Sequence, residues 1–354
     1  MARADDIAEA AILAPARTPR LVGHDEARRR ILRAFASGRA HHAWLISGRE
    51  GIGKATLAWH MARLLLAFPG REIANAPAED LPPDHPVSHQ VAAISHPDLF
   101  LLRRTRDRQG RLRAGIVVDD VRALSHFLSL RPGQGGRRVV IIDTADEMNI
   151  SAANALLKVL EEPPRETFFF LVSHAPGRLL PTIRSRCLHV PLDPLSPDQV
   201  RAVLAMEEVM QGRDVPADTL EKALKLAAGS PGLALKYAEG AAAESFFALT
   251  AALDGDMGAH AFRELAAKTA RAQASASARN DFFLLMELLI NWLREHAREA
   301  GHQGALARAT ELAELAATLR EELARLDALN LDRRQLMESA LLRMHAALKG
   351  ARAA

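Results

Sequence analysis

The stretch GREGIGKAT at residues 48–56 decides how this chain is read. It follows the short apolar run AWLIS (43–47) and opens KATLAWHMARLLLAF (54–68). In that segment Leu57, Met61, Leu64, Leu65 and Phe68 recur at helical spacing. Strand, glycine loop and helix in succession are the setting that a phosphate-binding loop needs. Glycines at 48, 51 and 53 let backbone N–H groups curl around phosphate oxygens, while the helix N-terminus and Lys54 add positive potential. Gly48, Gly53 and Lys54 satisfy G-x-x-x-x-G-K, but the Mg²⁺-ligating Ser or Thr of that pattern is replaced by Ala55. The first hydroxyl comes one place late, at Thr56.

Outward from the loop, strand and helix signals alternate through the first 190 residues. DLFLLR (98–103), RVVIID (138–143) and TFFFLVS (167–173) are apolar strand runs. DDVRALSHFLSL (119–130) reads as a helix capped by Asp119 or Asp120. SAANALLKVLEE (151–162) is a helix stopped by Pro163 and Pro164. PGREIANAPAEDLPPDHP (69–86) lacks periodicity and reads as loop or insertion. The alternation implies βαβ units and a parallel sheet covered on both faces.

From Asp198 onward no strand is expected. Leu312, Leu315, Leu319, Leu323 and Leu326 form one helix face, and NLDRRQLMESALLRM (330–344) begins a last helix capped by Asn330 or Asp332. The fold class is α/β followed by all-α. The expected domains are 1–192, an α/β P-loop domain; 193–243, a small helical domain; and 244–354, a larger helical one.

Composition narrows the function classes. A chain of 354 residues exceeds one ordinary core. Lysine and arginine number 46 against 43 acids, a balance that does not announce nucleic-acid binding. The run RRTRDRQGRLR (103–113) reads as a solvated loop or hairpin, with phosphate contact as the functional alternative. A single cysteine, Cys187, excludes an internal disulfide and a thiolate zinc cluster and favours the cytoplasm. The first twenty residues do not read as a signal peptide, and no apolar run has membrane-spanning length.

Nucleotide hydrolysis needs more than a loop. Asp143, closing RVVIID, is placed to help hold Mg²⁺ through water. The next residue, where many motors carry a water-orienting glutamate, is Thr144. Asp146 and Glu147 follow one turn later, with side chains expected to point elsewhere. Two defects therefore coincide, at Ala55 and Thr144, and argue against efficient hydrolysis. In LLPTIRSRC (179–187), Arg184 and Arg186 are surface arginines by residue chemistry alone; the functional alternative is an arginine finger serving a phosphate held by another subunit.

GREGIGKAT, RVVIIDTADEMN, NALLKVLEEPP (154–164) and TIRSRC, in this order, resemble bacterial clamp-loader AAA+ subunits. The resemblance implies an AAA+ domain, a helical lid and a helical C-terminal collar. It implies that Gly48, Gly51, Gly53, Lys54, Ala55 and Thr56 line a phosphate loop, that Asp143 is the Walker B aspartate, and that Ser173 is the sensor on the fourth strand. It further implies that Arg186 is an arginine finger acting in trans. Gly232, within GSPGLAL (229–235), stands where motor subunits carry a sensor arginine, a third missing catalytic part.

The implied role is a non-hydrolysing subunit of a DNA polymerase (nucleotidyltransferase) holoenzyme. Its implied partners are the tau/gamma motor subunits and the delta subunit, with the sliding clamp and primed DNA reached through the complex and no membrane contact. The loop and Lys54 suffice for ATP or ADP to bind, whereas catalysis needs more. The alternative is an active motor ATPase in which Thr56 replaces the hydroxyl and Asp146 or Glu147 positions water. Many relatives carry a four-cysteine zinc module between the first helix and second strand. Here residues 69–96 offer only His85, His89 and His96, so no zinc is expected.

Overall fold

A computed structural model describes residues 15–76, 80–107, 109–110, 112–133, 136–210, 213, 215–239, 241–255, 257–273, 279–329 and 332–350. The chain divides into two compact units, Met1–Asp214 with Leu224–Ala234, and Val215–Ala223 with Leu235–Ala354.

The first unit is built on five strands: β1 (Ala43–Ser47), β2 (Leu99–Leu102), β3 (Arg138–Ile142), β4 (Thr167–Ser173) and β5 (Leu188–Pro191). They pair in the order β2-β3-β4-β1-β5, and every pairing is parallel. Strand side chains alternate between faces, so an uninterrupted apolar run fills two cores at once. Trp44, Ile46, Val139, Ile141, Phe170 and Val172 pack into one core with Ile31 and Phe35 of helix Asp25–Ala36 and Leu57, Met61, Leu64 and Leu65 of helix Lys54–Ala67. Leu45, Val140, Ile142, Phe169 and Leu171 enter the other with Val121, Leu124 and Leu128 of helix Val118–Ser129 and Leu156 and Leu160 of helix Ile150–Glu161. An α/β sheet domain followed by helices alone is the fold class expected from the sequence.

Three local readings change. The helix at 119–130 begins one residue earlier, with Val117 at its N-cap, so neither Asp119 nor Asp120 is the cap. Asp120 instead reaches back to accept from the Val117 N–H at 2.9 Å and from the Thr105 hydroxyl at 2.7 Å. The 69–86 interval carries a 3₁₀ segment, Gly70–Asn75, and a short helix, Pro86–Ala92, begins at its last residue. Proline at the first helical position tolerates its missing N–H, so this proline starts a helix. The strand at 188–191 escapes the sequence reading because it is an edge strand ending in proline, with only Val190 buried.

The second unit is helical, comprising chiefly Ala241–Asp254, Ala259–Gln273, Arg279–His302, Leu306–Leu329 and Arg333–Gly350. Phe246, Phe262, Phe282, Leu289, Met337 and Leu341 are buried in it. The leucine stripe faces inward: Leu312, Leu319 and Leu326 are buried, while Leu315 and Leu323 are half-buried. Asp332 caps the last helix by accepting from the Arg334 N–H at 2.8 Å; Asn330 lies outside the described residues. Among the described residues no helix is long and apolar enough to cross a membrane.

Candidate functional site

The parallel sheet gathers three of the expected site elements at one edge. Ser47, the last residue of β1, pairs with Ser173, the last of β4. Asp143 follows β3, whose Ile142 pairs with Leu171 of β4. Because β3, β4 and β1 are adjacent, the loop beginning at Gly48, the Asp143 carboxylate and Ser173 share the carboxyl edge of neighbouring strands.

The loop is tied down carbonyl by carbonyl. The Lys54 ammonium donates to Gly48 O at 2.8 Å and also to Arg49 O. The Ser230 hydroxyl donates to Glu50 O at 2.8 Å, and the Gly232 N–H to Gly51 O at 3.0 Å. His24 Nε2 meets Ile52 O at 2.7 Å; with a carbonyl as partner, that nitrogen carries the proton. Burial holds His24 below its usual pKa and so favours the neutral ring, opposed by this hydrogen bond. Every carbonyl from 48 to 52 thus has a donor.

Three glycines make this close approach feasible. Gly51 has φ +73°, and a Cβ there would lie 2.5 Å from the Ser230 hydroxyl oxygen. A Cβ on Gly48 would lie 2.6 Å from Leu192 O. Gly53 caps helix Lys54–Ala67 at φ 102°, a left-handed conformation that favours glycine.

Lys54 is only 3% exposed. Desolvation lowers its pKa to about 8, with Glu50, Asp146 and Asp143 opposing the shift. Asp143 is raised to about 6, again chiefly by desolvation, against the attraction of Lys54, Arg103 and Arg104. Ala55 and Thr56 are half-buried in the first turn of the helix. Ser173 is fully buried, and its hydroxyl has no hydrogen-bond partner among the described residues.

The candidates for orienting an attacking water are committed elsewhere. Thr144 is left-handed, with φ 62° and ψ 58°, unusual for a β-branched residue. The Asp146 carboxylate accepts from the His174 N–H at 3.0 Å. Glu147 pairs with Arg104 at 2.8 Å. Ala55 thus offers no side-chain oxygen, Lys54 donates to its own loop, and the Asp146 and Glu147 carboxylates each have a partner.

Arg186 lies at the other end of the sheet. Leu188, two residues later, opens β5 and pairs with Trp44 near the start of β1. From Trp44 to Ser47 the strand rises about 10 Å, at roughly 3.3 Å per residue. Arg186 and the phosphate loop of the same chain are therefore on opposite edges. The Arg186 guanidinium donates to Thr182 O at 3.0 Å and meets Glu161 Oε1 at 2.8 Å. Burial pushes the adjacent Cys187 thiol up to about 12, so it stays protonated and inert at neutral pH.

Residues 23–196, which include the loop, Asp143, Ser173 and Arg186, match the family described as DNA polymerase III, delta subunit. Over 197 residues the chain is 41% identical to DNA polymerase III subunit delta′ of Pseudomonas aeruginosa, covering 55% of each chain. It is 37% identical over 213 residues to the delta′ subunit of Escherichia coli, covering 60% of this chain and 58% of that one. Over these residues the matches support a likeness to delta-prime clamp-loader subunits. The chain also shares 32% identity over 225 residues with DNA polymerase III subunit gamma/tau of Mycobacterium bovis, covering 61% of this chain and 36% of that one. The chain spans a little over half the length of the delta-prime relatives it matches.

The sequence did not mark His24 and Ser230 as loop partners or Glu161 as the partner of Arg186. Only GSPG, with its two glycines around Ser-Pro, hinted at a close backbone approach near residue 230. The Arg-rich run forms a small hairpin bridged at Arg106 and Leu112, and Arg113 lies 3.8 Å from Asp120. Arg108 and Arg111 lie outside the described residues.

Proposed function

We propose that this DNA polymerase III clamp-loader subunit does not hydrolyse ATP itself and supplies Arg186 to ATP bound by a neighbouring gamma/tau-type subunit. The observation that carries this reading is the placement of Arg186 at the sheet edge opposite its own phosphate loop. A guanidinium there is remote from any phosphate in its own loop and is free to serve a site formed with an adjacent subunit. In that site water attacks the γ-phosphorus and ADP leaves. Arg186 offsets the charge on the transferring phosphoryl group, while the neighbour supplies the metal and the water-orienting group.

The same reading assigns residues 193–243 to a lid and 244–354 to a collar that joins the ring. Ser173 and Asp143 are remnants of the nucleotide site. A delta subunit, the sliding clamp and primed DNA are reached through the assembly, which works in the cytoplasm on chromosomal replication.

The test is Arg186→Ala in the reconstituted loader. The chain should remain folded, and DNA-stimulated ATP turnover at the affected site should fall on the order of a hundredfold or more. Unchanged hydrolysis by the assembled loader would overturn the trans role. Turnover by the isolated chain at motor rates, abolished by Lys54→Ala, would overturn the non-hydrolysing reading.

A further inference from the structure

Arg186 is fixed from two directions. Its backbone sits in the turn that ends helix Pro181–Arg184, with Ser185 N–H to Pro181 O at 2.9 Å and Arg186 N–H to Ile183 O at 3.1 Å. Ile183, fully buried, anchors that turn to the sheet core. The side chain then spans from its own Thr182 carbonyl to the Glu161 carboxylate, at 3.0 and 2.8 Å. These contacts leave other guanidinium N–H groups to meet phosphate oxygens.

Glu161 is poorly explained as a stabilising residue. It is the last residue of helix Ile150–Glu161, where a carboxylate opposes the helix dipole. Its side chain is 48% exposed, and exposed ion pairs contribute little to folding. Pro163 and Pro164 prevent the helix from continuing and so fix where this carboxylate stands. The same helix end is pinned to the sheet, because His42 Nε2 meets Leu160 O at 3.0 Å. A rigid helix thus delivers a carboxylate to one arginine. Among the described residues no such pairing is made by Arg184, the other arginine of the segment.

We infer that Glu161 is a positioning residue that holds the Arg186 guanidinium pre-oriented for an anionic phosphoryl group on a neighbouring subunit. This rests on the trans role proposed above. An unrestrained arginine loses rotamer freedom when it docks, whereas one already held between Glu161 and Thr182 has lost part of it beforehand. The effect belongs to the step in which the guanidinium must be in place, not to the binding of the neighbour's nucleotide.

The experiment uses the complete reconstituted loader, with kcat and KM for ATP measured for Glu161→Ala, Glu161→Gln, Arg186→Ala and the Glu161→Ala/Arg186→Ala pair. Glu161→Ala should lower kcat about three- to tenfold with KM unchanged. Glu161→Gln, which keeps an acceptor oxygen, should recover part of that loss. Adding Glu161→Ala to Arg186→Ala should change nothing further. If Arg186→Ala impairs turnover while Glu161→Ala leaves kcat intact or raises it, the positioning role is wrong and the finger stands. Independent, multiplicative losses in the double variant would equally overturn it. If Arg186→Ala itself has no effect, the finger reading fails and this inference with it. Thermal unfolding of each isolated variant separates these outcomes from misfolding, and Glu161→Gln decides the matter if Glu161→Ala does not fold.

Discussion

Gly232 donates its N–H to Gly51 O at 3.0 Å, and a Cβ on Gly232 would lie 2.8 Å from the Gly51 Cα. Two glycines are therefore pressed together where the segment after Ser230 crosses the phosphate loop. A side chain cannot be added at this backbone position without moving one of the two segments. Gly232→Arg should lower stability by about 1–3 kcal/mol through overpacking, even though position 232 is exposed and the arm could reach water. Thermal unfolding measures this; an unchanged midpoint would show that the contact yields easily.

The pH dependence of stability should bear the opposed marks of Asp143 and Lys54. The folded-state pKa of Asp143 is raised to about 6, so the native chain binds more protons than the unfolded one between the ordinary carboxylate range and about 6. Its contribution is therefore favourable when acidic and is lost as pH rises through that window. Lys54 is lowered to about 8, so the unfolded chain binds more protons between about 8 and 10.5, and stability from this group rises with pH there. Asp143→Asn should remove the first slope and Lys54→Met the second, as read by denaturant midpoints across pH. Slopes that survive these substitutions would assign them to other groups.

Nucleotide affinity of the isolated chain should be insensitive to Mg²⁺. Ala55 offers no oxygen at the position where the loop pattern supplies the Mg²⁺-ligating hydroxyl. Calorimetric titration with ATP or ADP, with and without chelator, is the measurement. A tenfold or larger gain in affinity on adding Mg²⁺ would mean that another oxygen, such as Thr56, completes the metal site.

The insertion that lacks zinc-module cysteines is tied down by buried charge. Asp80 Oδ1 lies 3.2 Å from Arg28 Nη1 and 2.9 Å from His60 Nδ1, and Oδ2 accepts from the Leu21 N–H at 2.9 Å. Burial alone would raise the Asp80 pKa, but the His60 hydrogen bond, followed by the other contacts, holds it below the usual value. Burial holds His60 below its own usual value as well. Both shifts make stability present at neutral pH and lost on acidification, beginning below about pH 6.5 for His60. Asp80→Ala should cost about 1–3 kcal/mol, because it removes the carboxylate that meets Arg28, His60 and the Leu21 N–H together. A loss below 1 kcal/mol in chemical denaturation would show that the network is dispensable.

How much of this was legible beforehand depends on the range of the interactions. β1, β3 and β4 are apolar without interruption because both faces are buried, so composition alone marks them. β5 is an edge strand with one buried residue, and nothing local separates LHVP from a loop. The phosphate-loop glycines were legible as conformational requirements. Their fixing by His24 and Ser230 was not, since those side chains lie 28 and 180 residues from their acceptors. Asp120 was read as a cap because acids favour helix starts; in the fold it bonds backward to Val117 and sideways to Thr105.

The sequence by itself determined the alternation of β1 to β4 with their helices, the glycine-loop pattern at 48–54, and the residue types at 55 and 144. Those are properties of residue type and local spacing, and they hold whatever the chain packs against. Tertiary structure alone decided what the surviving parts face. Parallel pairing sends Gly48, Asp143 and Ser173 to one edge and Arg186 to the other, and a pinned helix end brings Glu161 to 2.8 Å from that arginine. Direction across a sheet is set by strand pairing, which for β1 with β4 and β5 joins segments more than a hundred residues apart, and no single segment encodes it.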